Sequence, residues 1–259
     1  MAIEKWLLTV FFASLMYGTI SPITYARKLQ FLSAASSHTA LLAVLISIPL
    51  SKFIPDYFVS ILVGLILMYI VGYAISKGAD PNTATSVLVS FTASASVITM
   101  FYVVTNYEVR TDIDALIMGD PLLVTWKDVI LLSLVSFFVV MTIVLTYKEQ
   151  FHIGFDRDCA TLAGIKVKLY DFIFYTILAI STIAMIKIVG FVLQHVLILL
   201  PCAIAMKIAR SMKSLIFYSA FISVSSAMIG LLIALNLNIS PSGVIGLIMF
   251  AFYILGLRR

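Results

Sequence analysis

The sequence predicts an all-α, polytopic integral membrane protein, one transmembrane domain over residues 1–259 with eight or nine membrane-spanning helices. Three observations carry that prediction. The 259-residue chain is 62% hydrophobic and only 11% charged, with a mean hydropathy of +1.13. Its apolar residues gather in runs near the roughly 20 residues that one helix needs to cross a bilayer. Its 17 lysines and arginines fall unevenly on alternate loops, as basic residues do when they stay on the cytoplasmic side.

Taken in order, the predicted spans are 6–26, 34–51, 55–76, 83–105, 128–147, 170–189, 191–206, 214–235 and 241–257. The first begins like a secretory signal, with Lys5 ahead of the run from Trp6 to Met16. It continues toward Tyr25 without a small-residue cleavage site, so it is read as a span. Spans 34–51 and 191–206 are short, which suits tilted or partly re-entrant segments and leaves the count at eight or nine.

With nine spans and the carboxy terminus inside, twelve basic residues lie on the inner side, among them Arg27, Lys28, Lys148, Arg157, Lys207 and Arg210. Five lie outside: Lys5, Lys52, Arg110, Lys127 and Lys187. The net charge of +5 therefore reports topology in the lipid bilayer, and nucleic-acid binding is not its meaning. The amino terminus is placed outside.

One inner loop is built unlike the others. In Phe155-Asp156-Arg157-Asp158-Cys159-Ala160-Thr161-Leu162-Ala163-Gly164, Asp156 is a good N-cap, Asp158 puts negative charge in the first turn, and Gly164 is a natural stop. The pattern predicts a helix over 156–164. Two turns are too few to be stable alone, so this helix is expected to pack against a soluble partner in the cytoplasm.

Residues 106–128 carry Glu108, Asp112, Asp114, Asp120 and Asp128 on the predicted outer face. They form either a solvated loop or an acidic vestibule that concentrates cations or docks a delivery protein. Cys159 and Cys202, the two cysteines, lie on the inner side or in a span, with no zinc-type spacing and no expectation of a disulfide. His152 falls in the inner loop and is read as solvated. Ser36, Ser37, Ser94, Ser96 and Thr99 in the spans are read mainly as packing residues.

The stretch from Val189-Gly190 through the leucine run to Pro201-Cys202-Ala203-Ile204-Ala205 is similar to a signature of the zinc- and manganese-type permeases of ABC importers. Phe155-Asp156 with Ala160, Ala163 and Gly164 resembles that family's coupling segment. Leu116-Ile117-Met118-Gly119-Asp120 matches a further element, and Ser37-His38 with Ala40 matches a serine-histidine-alanine motif loosely. The resemblance implies a permease subunit in a prokaryotic cell membrane that carries a divalent metal, zinc or manganese, and holds no permanent cofactor. It implies a cytoplasmic ABC ATPase, an extracellular substrate-binding protein and a second permease copy, expected as a homodimer. No Gly-x-x-x-x-Gly-Lys-[Ser/Thr] sequence occurs in the chain, so ATP acts through the partner and the chain is not expected to be an enzyme.

In this frame Phe155, Asp156, Ala160, Ala163 and Gly164 couple the ATPase to the spans. Gly190 allows a tight turn, and Pro201 removes a backbone donor and loosens the helix that holds it. Broken helices commonly line a transporter's pathway; shaping helix packing is the alternative role for both residues.

The family's aspartate four residues before the motif histidine is Ala34 here. Away from their ends, the spans contain no Asp or Glu. His38 and His195 lie roughly 15 and 18 Å from the inner boundary, both near mid-membrane. Two imidazoles at one depth suit a transient site for a borderline cation, with Cys202 two turns from His195 as a possible extension. Interhelical hydrogen bonding is the plainer role for both histidines. An importer of a metal chelate or other small solute, or an ion-coupled secondary transporter, stands as the alternative function.

Overall fold

The computed structural model describes residues 2–107 and 124–257. The described residues form ten helices: α1 (Ala2–Ala26), α2 (Gln30–Leu50), α3 (Asp56–Ser76), α4 (Pro81–Asn106), α5 (Trp126–Phe155), α6 (Arg157–Leu162), α7 (Val167–Ile188), α8 (Phe191–Ala205), α9 (Met212–Leu237) and α10 (Pro241–Leu257). Several starts are written in the sequence. Asp80 accepts from the Thr83 amide at 2.8 Å, with Pro81 as the first residue of α4. Reciprocal capping boxes, Thr125 with Asp128 and Ser211 with Ser214, open α5 and α9. Asn238, in the left-handed conformation at φ 53°, closes α9.

Seven of these helices (α1–α5, α7 and α9) are long and apolar enough to cross a membrane. Span 34–51 is longer than its apolar run suggests, because the helix starts at Gln30 and reaches 21 residues. α8 and α10 hold only 15 and 17 residues. At 1.5 Å per residue α8 is roughly 22 Å long, short of a 30 Å hydrocarbon core.

α1 is the hub of the bundle. Val10, Ala13, Met16 and Tyr17 are fully buried along it, and it packs against α5, α8 and α9. Gly18 meets α9 so closely that an added Cβ would lie 2.7 Å from the Ala220 Cα. α2 organises a second group with α3, α4 and α7. The seam between the groups is closed where α2 touches α8 and where α7 touches α5 and α8.

Contacts at the helix ends agree with the charge count. Arg27, Arg157 and Asp171 meet at one end, where Lys207 also reaches the Tyr253 carbonyl at 2.8 Å. Lys187 bonds Asp56 at 2.8 Å, and Lys52 lies 5.8 Å from the Tyr107 ring centroid, at ends assigned to the opposite side.

Candidate functional site: a histidine pair and a coupling segment

His38 on α2 and His195 on α8 face each other across the seam, their ring centroids 6.0 Å apart and nearly perpendicular. Both are half-buried, while their helix neighbours Ser37 and Gln194 are completely buried. The Nδ1 of His195 lies 3.2 Å from the Phe191 carbonyl oxygen. A carbonyl can only accept, so Nδ1 carries the proton and Nε2 keeps its lone pair. With a metal–nitrogen bond of roughly 2.0–2.1 Å, two imidazoles sharing one ion place their centroids roughly 5–6.5 Å apart. The observed separation lies inside that window.

Phe191, which sequence reasoning did not single out, completes the arrangement. Its ring is 5.0 Å from that of His38 and 4.5 Å from that of His195. It borders the pair with an apolar face.

Gly190 places α8 where this meeting can occur. Its φ of 87° and ψ of 172° belong to a region that side chains other than hydrogen do not enter without strain. Pro201 lies buried inside α8, and the next amide, Cys202, donates to the Ser21 hydroxyl of α1 at 3.3 Å. Cys202 does not extend the histidine pair: it is wholly buried, and seven residues of helix put it roughly 10 Å from His195 along the axis. Among the described residues no three His, Cys, Asp or Glu side chains come together as a metal cluster. Ala34 lies one turn before His38 on the same partly exposed face of α2.

Gln194 was also missed. It is fully buried, and neither of its amide atoms has a hydrogen-bond partner. Ser37, beside His38, is likewise buried with an unpartnered hydroxyl. Both sit one residue from a histidine, in a molecule whose interior otherwise satisfies most of its hydroxyls on backbone carbonyls one turn back.

The short capped helix is shorter than the predicted 156–164. α6 occupies Arg157–Leu162, with Asp156 as its N-cap, accepting from the Asp158 and Cys159 amides at 2.9 Å each. Those bonds, the one from Cys159 first, hold the Asp156 carboxyl below its ordinary range. Gly164, at φ 81°, ends the helix: its amide bonds the Thr161 carbonyl and the Ile165 amide bonds that of Ala160, both at 3.0 Å. This is a Schellman stop. Ala160 is buried against Ile153 and Val167, whereas Ala163 is exposed. Phe155 and Leu162 stand 70% and 88% exposed, two apolar side chains that the chain leaves largely uncovered.

α5 runs on to Phe155, so the residues after 147 read as a loop are helical, and the exposed His152 occupies its last turn. Of the hydroxyl residues, Ser36 bonds the Ser33 carbonyl at 2.6 Å, while Ser94 is exposed.

A further set ties α6 to the spans. Asp171, near the start of α7, accepts from both Arg27, just past α1, and Arg157, the first residue of α6. Arg27 and Asp171 are almost fully buried, and the Arg27 guanidinium lies 5.1 Å from the Phe174 ring centroid. Spacing gave no signal for this set, because 144 positions separate Arg27 from Asp171. The motif at 116–120 and most of the acidic stretch at 108–123 lie outside the described residues.

A bundle of long apolar helices with a polar pair at its internal seam and a short capped helix at one end is an architecture that transport permeases share. The chain belongs to the ABC 3 transport family, whose model matches residues 2–259. It is 27% identical over 240 residues to a probable metal transport system membrane protein of Thermotoga maritima, covering 92% of this chain and 82% of that one. It is 27% identical over 259 residues to the manganese transport system membrane protein MntD of Bacillus subtilis, covering 94% and 87%. The fold is similar to that of PsaBC from Streptococcus pneumoniae in complex with Fab, with a TM-score of 0.86, 22% identity and coverage of 98% of this chain and 90% of that one. It is also similar to an inward-facing, putative metal-chelate type ABC transporter, with a TM-score of 0.76, 12% identity and coverage of 99% and 85%.

Proposed function

We propose that this chain is the membrane-spanning subunit of an ABC importer that moves a divalent metal, zinc or manganese, into a prokaryotic cell. One observation carries the reading: His38 and His195 sit across the seam at a separation that one ion can bridge. Two ligands without a carboxylate make a weak, transient site, and transport needs binding that releases. Of the two ions, a pair of imidazoles suits zinc better, because manganese favours oxygen donors. The relatives named for manganese or metal transport support the ion class.

Two copies of the chain would enclose the pathway, receiving the ion from an extracellular binding protein. A cytoplasmic ATPase would grip the α5–α6 corner through Phe155 and Leu162, and closure of its nucleotide sites would move α6 as a rigid body. Asp171 joins α6 to α1 and α7, and α1 packs on α8, which carries His195. This network gives the movement a physical route to the site. All nine apolar segments would cross or enter the bilayer, α8 and α10 as short members.

The test is ATP-dependent uptake of radiolabelled zinc and manganese into vesicles holding the permease and its ATPase. Uptake should require ATP, and His38→Ala should raise the ion concentration needed at unchanged assembly. Unchanged uptake in that variant removes the histidine from the pathway. A second reading, import of a metal chelate, is favoured by Ala34 and by the lack of a third ligand among the described residues. Failure of both free ions in an assembled, ATP-hydrolysing complex would select it.

A further inference from the structure

A second feature stands apart from the histidine pair. At the inner end of the bundle a groove of about 680 Å³ opens between the last turns of α5 and the α8–α9 connection. Lys148, Arg210 and Lys213 line it with Tyr147, Phe151 and Leu215. The three basic residues are exposed, and none of them joins an ion pair among the described residues. α5 and α9, which form its walls, both qualify as membrane spans. The groove therefore sits where the hydrocarbon of a leaflet gives way to its headgroups.

We propose that this groove holds the headgroup and upper acyl chains of an anionic phospholipid from the inner leaflet. The chemistry is two-sided. Phenylalanine and leucine line the part facing the bundle, and a tyrosine suits the interfacial level. The cations need a negative partner, and basic pockets between membrane helices on the cytoplasmic side recognise anionic headgroups. Charge complementarity selects the lipid over a zwitterionic one. Phe155 forms part of the groove's lining, so an occupied groove would bear on the residue that precedes α6. The inference needs the membrane orientation but is independent of which ion is carried.

Titration of the purified full-length permease with dioleoyl phosphatidylglycerol and dioleoyl phosphatidylcholine, followed by native mass spectrometry, tests it. The natural protein should retain phosphatidylglycerol in preference to phosphatidylcholine. Each basic residue near an anionic surface is worth roughly fivefold in binding. Replacing all three by glutamine (Lys148→Gln, Arg210→Gln, Lys213→Gln) should lower that preference on the order of tenfold or more. Lys148→Arg with Lys213→Arg should keep it, and Lys5→Gln with Lys52→Gln, at the other side, should leave it unchanged. If the triple variant does not assemble, each single glutamine variant should show part of the loss. Equal retention of the two lipids, or an unaltered preference in the glutamine variants, overturns the proposal. Loss of ATPase co-purification with lipid preference intact also overturns it and assigns the groove to the ATPase.

Discussion

Arg27 and Asp171 form a buried ion pair that joins the carboxy-terminal end of α1 to the start of α7, with side chains 3% and 10% exposed. Removing one partner leaves the other charge stranded, which costs about 3–5 kcal/mol in buried pairs. Asp171→Asn should therefore lower the thermal stability of the purified permease markedly. Arg157 shares the same carboxylate but is 43% exposed, so Arg157→Gln should cost about 1 kcal/mol or less. Its effect should appear instead in coupling, as ATP hydrolysis that no longer drives uptake. Equal destabilisation by the two variants would show that the three residues are not arranged as described.

Much of the architecture was legible because the bilayer imposes it. Apolar runs and loop charges placed the helices, and the Asp156 and Gly164 caps announced α6 before any contact was known. Gly190 was legible as a turn because glycine alone tolerates that backbone. Residue counts from the basic boundary put His38 and His195 at one depth, and their rings do meet across the seam from different helices. Phe191, Gln194 and the Arg27–Asp171–Arg157 set were not legible. Their roles arise from which helices become neighbours, and a run of apolar residues does not encode its partner. Cys202 misled because seven residues restore a helical face but also move about 10 Å along the axis.

At Gly190 the backbone sets the position of the site. Its φ of 87° and ψ of 172° lie where a Cβ is strained by about 1–3 kcal/mol. Gly190→Ala should lower the melting temperature and also weaken ion dependence, because α8 starts there and His195 is five residues on. Gly243→Ala is the control: an added Cβ meets nothing within 4 Å, and alanine is the better helix former. A Gly190→Ala protein as stable and as active as the control would remove the turn from the positioning of the site.

The α6 cap has a defined pH signature. Hydrogen bonds from the Cys159 and Asp158 amides lower the Asp156 pKa, so the folded carboxyl holds its proton less tightly than the unfolded one. The cap's contribution is then complete above the ordinary aspartate value, about 3.9, and is lost only as pH falls through the lower folded value. Amide exchange in Arg157–Leu162 should stay protected from neutral pH to below that ordinary value. Asp156→Ala should remove the protection at every pH, while Asp156→Asn keeps an acceptor and loses the acid transition. Leu162→Ser, at an 88% exposed position, should spare stability and reduce ATPase co-purification. Full retention of the ATPase by that variant would place the docking contact elsewhere.

Ala34 offers the sharpest discrimination between a free ion and a chelate. It precedes His38 by four residues on one face of α2, so Ala34→Asp adds a carboxylate beside the imidazole with the spacing that lets both reach one ion. A free divalent ion gains a third ligand and an oxygen donor, which manganese prefers. Half-maximal uptake should then occur at a manganese concentration at least roughly tenfold lower, since even outer-shell changes shift metal affinity by that much. The gain should vanish in Ala34→Asp with His38→Ala, because the carboxylate alone lacks its partner. A chelate brings its own ligands and is bound through its periphery, so a charge at position 34 should leave its uptake unchanged or reduce it. Lower manganese demand that depends on His38 would establish a free-ion path through α2 and α8, and no change in either variant would move the path away from this seam.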